Sequence, residues 1–199
     1  ANATVTVNGT SGSALNPYKA AASDGNGFVV YEGGKLVLNV PVVSSGRVDK
    51  WQSGEVVFNA DVTITGNNYL LLDCGTTTLK GTATLSVQDG TLGLGNSLDR
   101  KQVTLNVTDS ARVVAREVQT TVANNGSTGT GRIVQDGEGS EVYVSGTVTL
   151  SGAAGTADKG VYELKSGIFT AGGVVSLGKS GTGYNDGVFG GGSFEQSGG

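Results

Sequence analysis

The chain has 199 residues, a net charge of -4, no His, no Met and one Cys. That balance excludes a basic nucleic-acid surface, an intramolecular disulfide and a multi-Cys zinc site. Charged residues are only 15 % and Gly is 35 of 199, well above the usual ~7 %. With no three-residue Gly period, this composition fits neither a charged disordered tail nor collagen, and predicts an all-β chain with many tight turns. No apolar run approaches the ~18 residues a membrane span needs, so membrane insertion is not expected.

In chain order, ATVTV places Ala3, Val5 and Val7 on one side of a short strand. ALNPYKAAASDGNG follows, with Asn16 as N-cap, Pro17 at the first helical position and Ala20 to Ala22 behind it. It reads equally as a helical cap or an irregular loop. Residues 1–26 are therefore taken as an N-terminal strand with a cap segment, and 27–199 as the body. EVVFNADVTIT alternates through Val56, Phe58, Ala60, Val62 and Ile64, with Val57 off pattern. The period-2 signal continues through Leu79, Ala83, Leu85 and Val87, then Val103, Leu105 and Val107, then Val142, Val144, Val148 and Leu150. Between these runs lie turn clusters such as TGNN, QDG, ANNGSTGTG and SGAAGTADKG. Cys74 follows LLLD and is expected to be a buried thiol.

Internal repetition is clearest over 131–199. GRIVQDG, GVYELKSG and GSFEQSGG begin at Gly131, Gly160 and Gly192 and bring Gln135, Leu164 and Gln196 into one position. A short strand with one apolar face cannot bury that face alone. Stacked coils can, by placing like side chains in columns. Coils of roughly 20 to 30 residues would number about seven, in a stack ~30 Å tall at ~4.8 Å per strand. A hairpin-built sandwich would show no such likeness.

GVYELKSGIFTAGGVVSLG and GSFEQSGG resemble the repeats of autotransporter-type β-helix passenger proteins, notably large surface proteins of Verrucomicrobia and Planctomycetes. The resemblance covers 131–199 in motif and 27–130 in style. It implies a right-handed parallel β-helix with Gly-rich turns at a bacterial cell surface, in an adhesin, a fibre component or a scaffold. Such proteins carry a C-terminal translocator barrel or sorting tail. Neither is present in this sequence, which reads as a fragment or a subunit exported another way. The small-residue start ANATVTV fits the mature side of a secretory cleavage site.

Polysaccharide lyases and hydrolases share the β-helix fold, so a catalytic site is the competing reading. The usual general base, His, is absent. Asp89, Asp99, Arg100, Lys101, Asp109, Arg112 and Arg116 have no spacing that forces convergence. Asp136, Glu138 and Glu141 sit in or near a turn and make a weak glycosidase pair. No catalytic residue, metal ligand or cofactor is assigned, and the chain is not expected to be an enzyme. Gly126 to Gly131 lacks the GK[ST] of a phosphate loop. Asn2, Asn8, Asn106 and Asn125 fall in sequons, which a Thr-rich chain produces by chance. Trp51, in the polar, turn-like run RVDKWQSG, is the candidate partner contact. Tyr18, Tyr31, Tyr69 and Tyr184 are weaker ones, with Tyr31 and Tyr69 also readable as core caps. The partner is a glycan or a cell-surface protein.

A solenoid has two open ends, each with unpaired backbone groups. The sequence stops on SFEQSGG, a rung that looks unfinished, and near its start offers ATVTV as a free β segment. Head-to-tail self-association is expected between Ala3, Val5 and Val7 at one end and Phe194, Gln196 and Gly198 at the other. This reading makes the chain a secreted structural subunit. The alternative is a carbohydrate-binding or carbohydrate-cleaving β-helix.

Overall fold

The computed structural model describes residues 3–17, 26–95, 102–121, 129–152, 159–178 and 192–197. All regular structure within them is β, and every strand pairing is parallel. Tyr18, Ala20 to Ala22, Asp99, Arg100, Lys101, Tyr184, Gly198 and the sequons at Asn2 and Asn125 lie outside the described residues. Asn16 and Pro17 are in irregular chain, and the rest of the cap segment lies outside the described residues.

The chain winds as a stack of coils. β1 (Thr4–Val7) and β2 (Asn26–Val29) belong to the first, with Leu15 between them bridging to Val42. The second holds β3 (Lys35–Leu38), β4 (Val42–Ser44) and β5 (Val48–Trp51). The third holds β6 (Glu55–Phe58), β7 (Val62–Ile64) and β8 (Tyr69–Leu72). In the fourth, β9 (Gly75–Leu79) is followed by β10 (Thr84–Leu94). In the fifth, β11 (Gln102–Thr108) is followed by β12 (Arg112–Gln119). β13 (Thr130–Asp136), β14 (Glu141–Val144) and β15 (Val148–Leu150) make the sixth. β16 (Gly160–Leu164), β17 (Ile168–Ala171) and β18 (Val175–Leu177) make the seventh. β19 (Gly192–Gln196) starts an eighth.

The pairings sort these strands onto three faces. Face A is the eight-stranded sheet β1-β3-β6-β9-β11-β13-β16-β19. Faces B and C form one continuous sheet, because β10 and β12 run through the corner between them. A register shift between Val87 and Thr91 marks that corner. Face B runs from the Leu15 bridge through β4, β7, the first half of β10, the first half of β12, β14 and β17. Face C runs β2, β5, β8, the second halves of β10 and β12, β15 and β18. This is the parallel β-solenoid that the repeats predict, with seven coils and one further strand among the described residues.

Register turns the alternation into columns. On face A the first inward column is Val5, Leu36, Val56, Thr77, Leu105, Ile133, Tyr162 and Phe194. The second is Val7, Leu38, Phe58, Leu79, Val107, Gln135, Leu164 and Gln196. Gln135, Leu164 and Gln196 thus share a rung position, as the repeat alignment requires. A single apolar cluster runs the length of the stack from Phe28 to Leu164. Burying it supplies the driving force that isolated strands of three to five residues lack.

The sequence reading needs correction at two strands. EVVFNADVTIT is two strands on two faces, with the corner at residues 59–61. Val57, off pattern, is nonetheless buried. RVDKWQSG is not a turn, because Val48–Trp51 is β5.

Some corners are stitched by polar side chains. Asn59 donates to Asn39 Oδ1 (2.8 Å) and Asn39 donates to Asn8 Oδ1 (2.7 Å), a ladder up one edge. Gly81 turns a corner with φ 70°, a left-handed value that a side chain disfavours.

Candidate functional site

Of the charged residues that suggested catalysis, Asp109, Arg112, Asp136 and Glu141 make contacts between coils, while Arg116 lies 3.5 Å from its neighbour Glu117. Arg112 Nε pairs with Glu141 Oε2 at 3.0 Å across adjacent rungs. Lys165 reaches Asp136 at 3.5 Å, Arg132 pairs with Glu163 and Lys35 pairs with Glu55 at 3.0 Å. Asp109, itself at φ 58°, accepts the Gly81 N–H at 3.0 Å. These are ladder contacts that hold register, not a convergent pair of carboxylates. Among the described residues no three His, Cys, Asp or Glu side chains group to hold a metal ion. No described helix is long and apolar enough to cross a membrane.

Two interior polar clusters went unseen in the sequence. Lys50 stands in the inward column Phe28, Lys50, Leu72, Leu94 of face C and is 1 % exposed. Its ammonium donates to the carbonyls of Gln52 (2.7 Å), Gly54 (2.5 Å) and Cys74. Three donors meet three acceptors, and Gln52 takes φ 68° at this corner. Burial pulls the Lys50 amine down to about 8, against the opposing pull of Cys74 and Asp73. Beside it, burial raises the Asp49 carboxyl, although Arg47 donates to it at 2.7 Å. Cys74 is buried, as expected.

The second cluster centres on Gln135. Its amide N–H groups donate to Ser140 O (3.1 Å), Ser140 Oγ (3.0 Å) and Ile168 O (3.1 Å), and its Oε1 accepts from the Tyr162 hydroxyl at 2.6 Å. Burial pushes the Tyr162 phenol upward, so it stays a donor. The Lys50 ammonium and the Gln135 amide find all their partners internally and read as braces of the coil, whereas Asp49 Oδ2 is buried without a hydrogen-bond partner.

Trp51 ends β5 on the outside of face C beside Val29 and is half-buried. Tyr31 and Tyr69 are exposed (69 % and 43 %), so they do not cap the core. They lie on different coils and are not brought together with Trp51.

The ends of the stack hold the unmet bonding capacity. At the N-terminal end, Lys35 N–H donates to Ala3 O and Asn39 N–H to Val7 O, both at 2.9 Å. In a parallel ladder alternate residues bond to opposite sides. Ala3, Val5 and Val7 therefore turn their backbone groups to β3, while Thr4 and Thr6 turn theirs outward along the stack axis. Val5 is 57 % exposed although its column is apolar. A cavity of about 320 Å³ opens here between β1 and the Val29–Tyr31 segment.

At the C-terminal end, Ser197 N–H donates to Leu164 O at 3.1 Å, so Gly192 and Phe194 present their backbone to the open side. Phe194 stacks on Tyr162 (centroids 5.3 Å apart, planes 17° apart) and both touch Phe169. Ala3, Val5 and Val7 thus sit at one end of the face A columns, and Phe194 and Gln196 at the other. β1 is not a free segment, since one of its edges is already paired with β3. The sequence reading did not single out β17, while β18 is the short strand ending in Leu expected within GGVVSLG. Ile168, Val174 and Leu177 are 62 %, 67 % and 57 % exposed there. No family model, curated protein or solved structure matches the chain.

Proposed function

We propose that the protein is an extracellular structural β-solenoid, a subunit of a bacterial surface fibre or passenger stalk, that assembles with other copies through the ends of its stack. The winding is read as right-handed, in keeping with the resemblance of its repeats, and the turns as Gly-rich. The observation that carries the reading is the pair of outermost edges, β1 at one end and β19 with β17 and β18 at the other. Among the described residues each presents backbone groups without a strand partner, together with exposed apolar side chains of the inward columns, Val5 at one end and Val175 and Leu177 at the other. A surface of this kind recruits a strand. A head-to-tail contact that does not close on itself grows a filament. The reading assigns no catalytic role, because no described pair of carboxylates converges and Arg112, Arg132, Glu141 and Glu163 serve as contacts between coils. Negative-stain electron microscopy of the 199-residue chain, with sizing at several concentrations, tests it. Unbranched filaments of uniform width are expected. A monomer at every concentration would overturn assembly.

A further inference from the structure

The corner between β1 and the Leu15 bridge reads NGTSGS, and Asn8, Gly9, Thr10, Ser11 and Gly12 are all exposed on its side. The strand ladder stops just before it. Asn39 N–H still donates to Val7 O at 2.9 Å, but the next backbone donor, the Gly9 N–H, finds no acceptor among the described residues. The Asn8 side chain is held at one atom. Its Oδ1 accepts from Asn39 Nδ2 at 2.7 Å, and Asn39 is itself held by Asn59 at 2.8 Å. The corner accepts only Gly after Asn8, because a Cβ there would lie 2.7 Å from Val40 Cγ2. An exposed amide with a polarised oxygen therefore stands next to an unshielded and unbonded main-chain nitrogen.

We propose that Asn8 is a site of spontaneous deamidation, promoted by the hydrogen bond from Asn39. The Gly9 nitrogen attacks Asn8 Cγ. Negative charge then develops on Oδ1, where Asn39 already donates, as an oxyanion donor does. The Cγ–Nδ2 bond breaks, and Nδ2 leaves as ammonia with the proton from Gly9. Water opens the five-membered imide at Cγ to give aspartate, or at the Asn8 main-chain carbonyl to give isoaspartate. No further reactant is consumed. Ring closure needs the Asn backbone to leave the extended conformation, which the end of the ladder allows at Asn8. Asn26–Gly27 is placed differently. It lies inside β2, paired with β5, and a Cβ on Gly27 would lie 1.7 Å from Asp49 O. Asn39 and Asn59 share the ladder, but Val40 and Ala60 follow them, and a Cβ crowds the attacking nitrogen. Each event adds one negative charge to a chain of net -4. The aspartate product keeps an acceptor for Asn39 and makes that bond charge-assisted. The isoaspartate product lengthens the main chain directly after β1 and shifts the corner against Val40.

Incubating the purified chain in warm neutral buffer and mapping its peptides by mass spectrometry over time tests the site. The peptide holding Asn8 should convert to aspartate and isoaspartate forms while the peptide holding Asn26 stays an amide. Mapping keeps both apart from Asn125–Gly126, which lies outside the described residues. Asn39→Ala removes the donor and should slow conversion at Asn8 by roughly three- to tenfold, less than a buried oxyanion donor gives because water competes at an exposed corner. Asn39→Asp keeps the shape and the acceptor for Asn59 but has no donor, and should slow it similarly. Melting temperatures of both variants confirm that they are folded at the incubation temperature. Conversion at Asn8 no faster than at Asn26 would overturn the site. Conversion in either folded variant as fast as in the wild type would overturn the role of Asn39.

Discussion

Replacing Lys50 by Met tests whether the buried ammonium braces the corner between the second and third coils. Met keeps the length of the side chain and suits the column between Phe28 and Leu72. It removes all three bonds to the carbonyls of Gln52, Gly54 and Cys74. A buried acceptor left without a donor costs about 1–3 kcal/mol, so the three together cost roughly 6 kcal/mol. Against this, the variant no longer buries a charge. The fall of the amine from 10.5 to about 8 corresponds to roughly 3 kcal/mol at ~1.4 kcal/mol per pH unit. Lys50→Met should therefore lower stability by about 3 kcal/mol at pH 7. The pH dependence is more telling. Between pH 8 and 10.5 the native state holds fewer protons on Lys50 than the unfolded state, so the wild type gains stability as pH rises through this window. The Met variant has no such term, and groups common to both proteins cancel in the difference. The gap should widen by about 3 kcal/mol from pH 7 to pH 10.5. Urea unfolding followed by fluorescence of Trp51, the one Trp in the chain, reads it beside the altered corner. A gap that narrows with pH would refute the burial-lowered amine, and a variant more stable at pH 7 would refute the brace.

Other contacts give independent outcomes. Tyr162→Phe deprives Gln135 Oε1 of its 2.6 Å donor and should cost about 1–2 kcal/mol in urea unfolding. In Gln135→Leu the same change should cost less, which a double-mutant cycle measures. Asn39→Ala cuts the exposed asparagine ladder at both bonds and should cost only about 1 kcal/mol in thermal unfolding. Gly75→Ala and Gly81→Ala share a positive φ, but a Cβ on Gly75 would lie 2.5 Å from Ser53 O while Gly81 has open space. Gly81→Ala should cost about 1 kcal/mol and Gly75→Ala clearly more. Equal losses would show that the close approach does not matter.

The coil architecture was legible where side chains repeat. The alignment of Gly131, Gly160 and Gly192 matches the register in which Arg132 meets Val161 and Gly160 meets Gly192. Earlier coils hid their period because their lengths differ. Lys35 meets Glu55 after 20 residues, whereas Gly160 meets Gly192 after 32. Alternation could not reveal corners, since the strands either side of residues 59–61 turn their apolar sides to the same core. Lys50 escaped notice because a charged residue in VDKW reads as surface. Only the pairing with Phe28 and Leu72 turns it inward.

The central claim is that copies join through strand edges that no bond within one subunit uses. Thr6→Pro tests it most directly. The Thr6 N–H points away from β3, and Pro is tolerated on such an edge while removing the donor. Sedimentation velocity across a concentration series should show growing assemblies for the wild type. The Pro variant should remain a monomer with an unchanged melting temperature. Assembly of the Pro variant equal to that of the wild type, or a wild type that never assembles, would contradict the account.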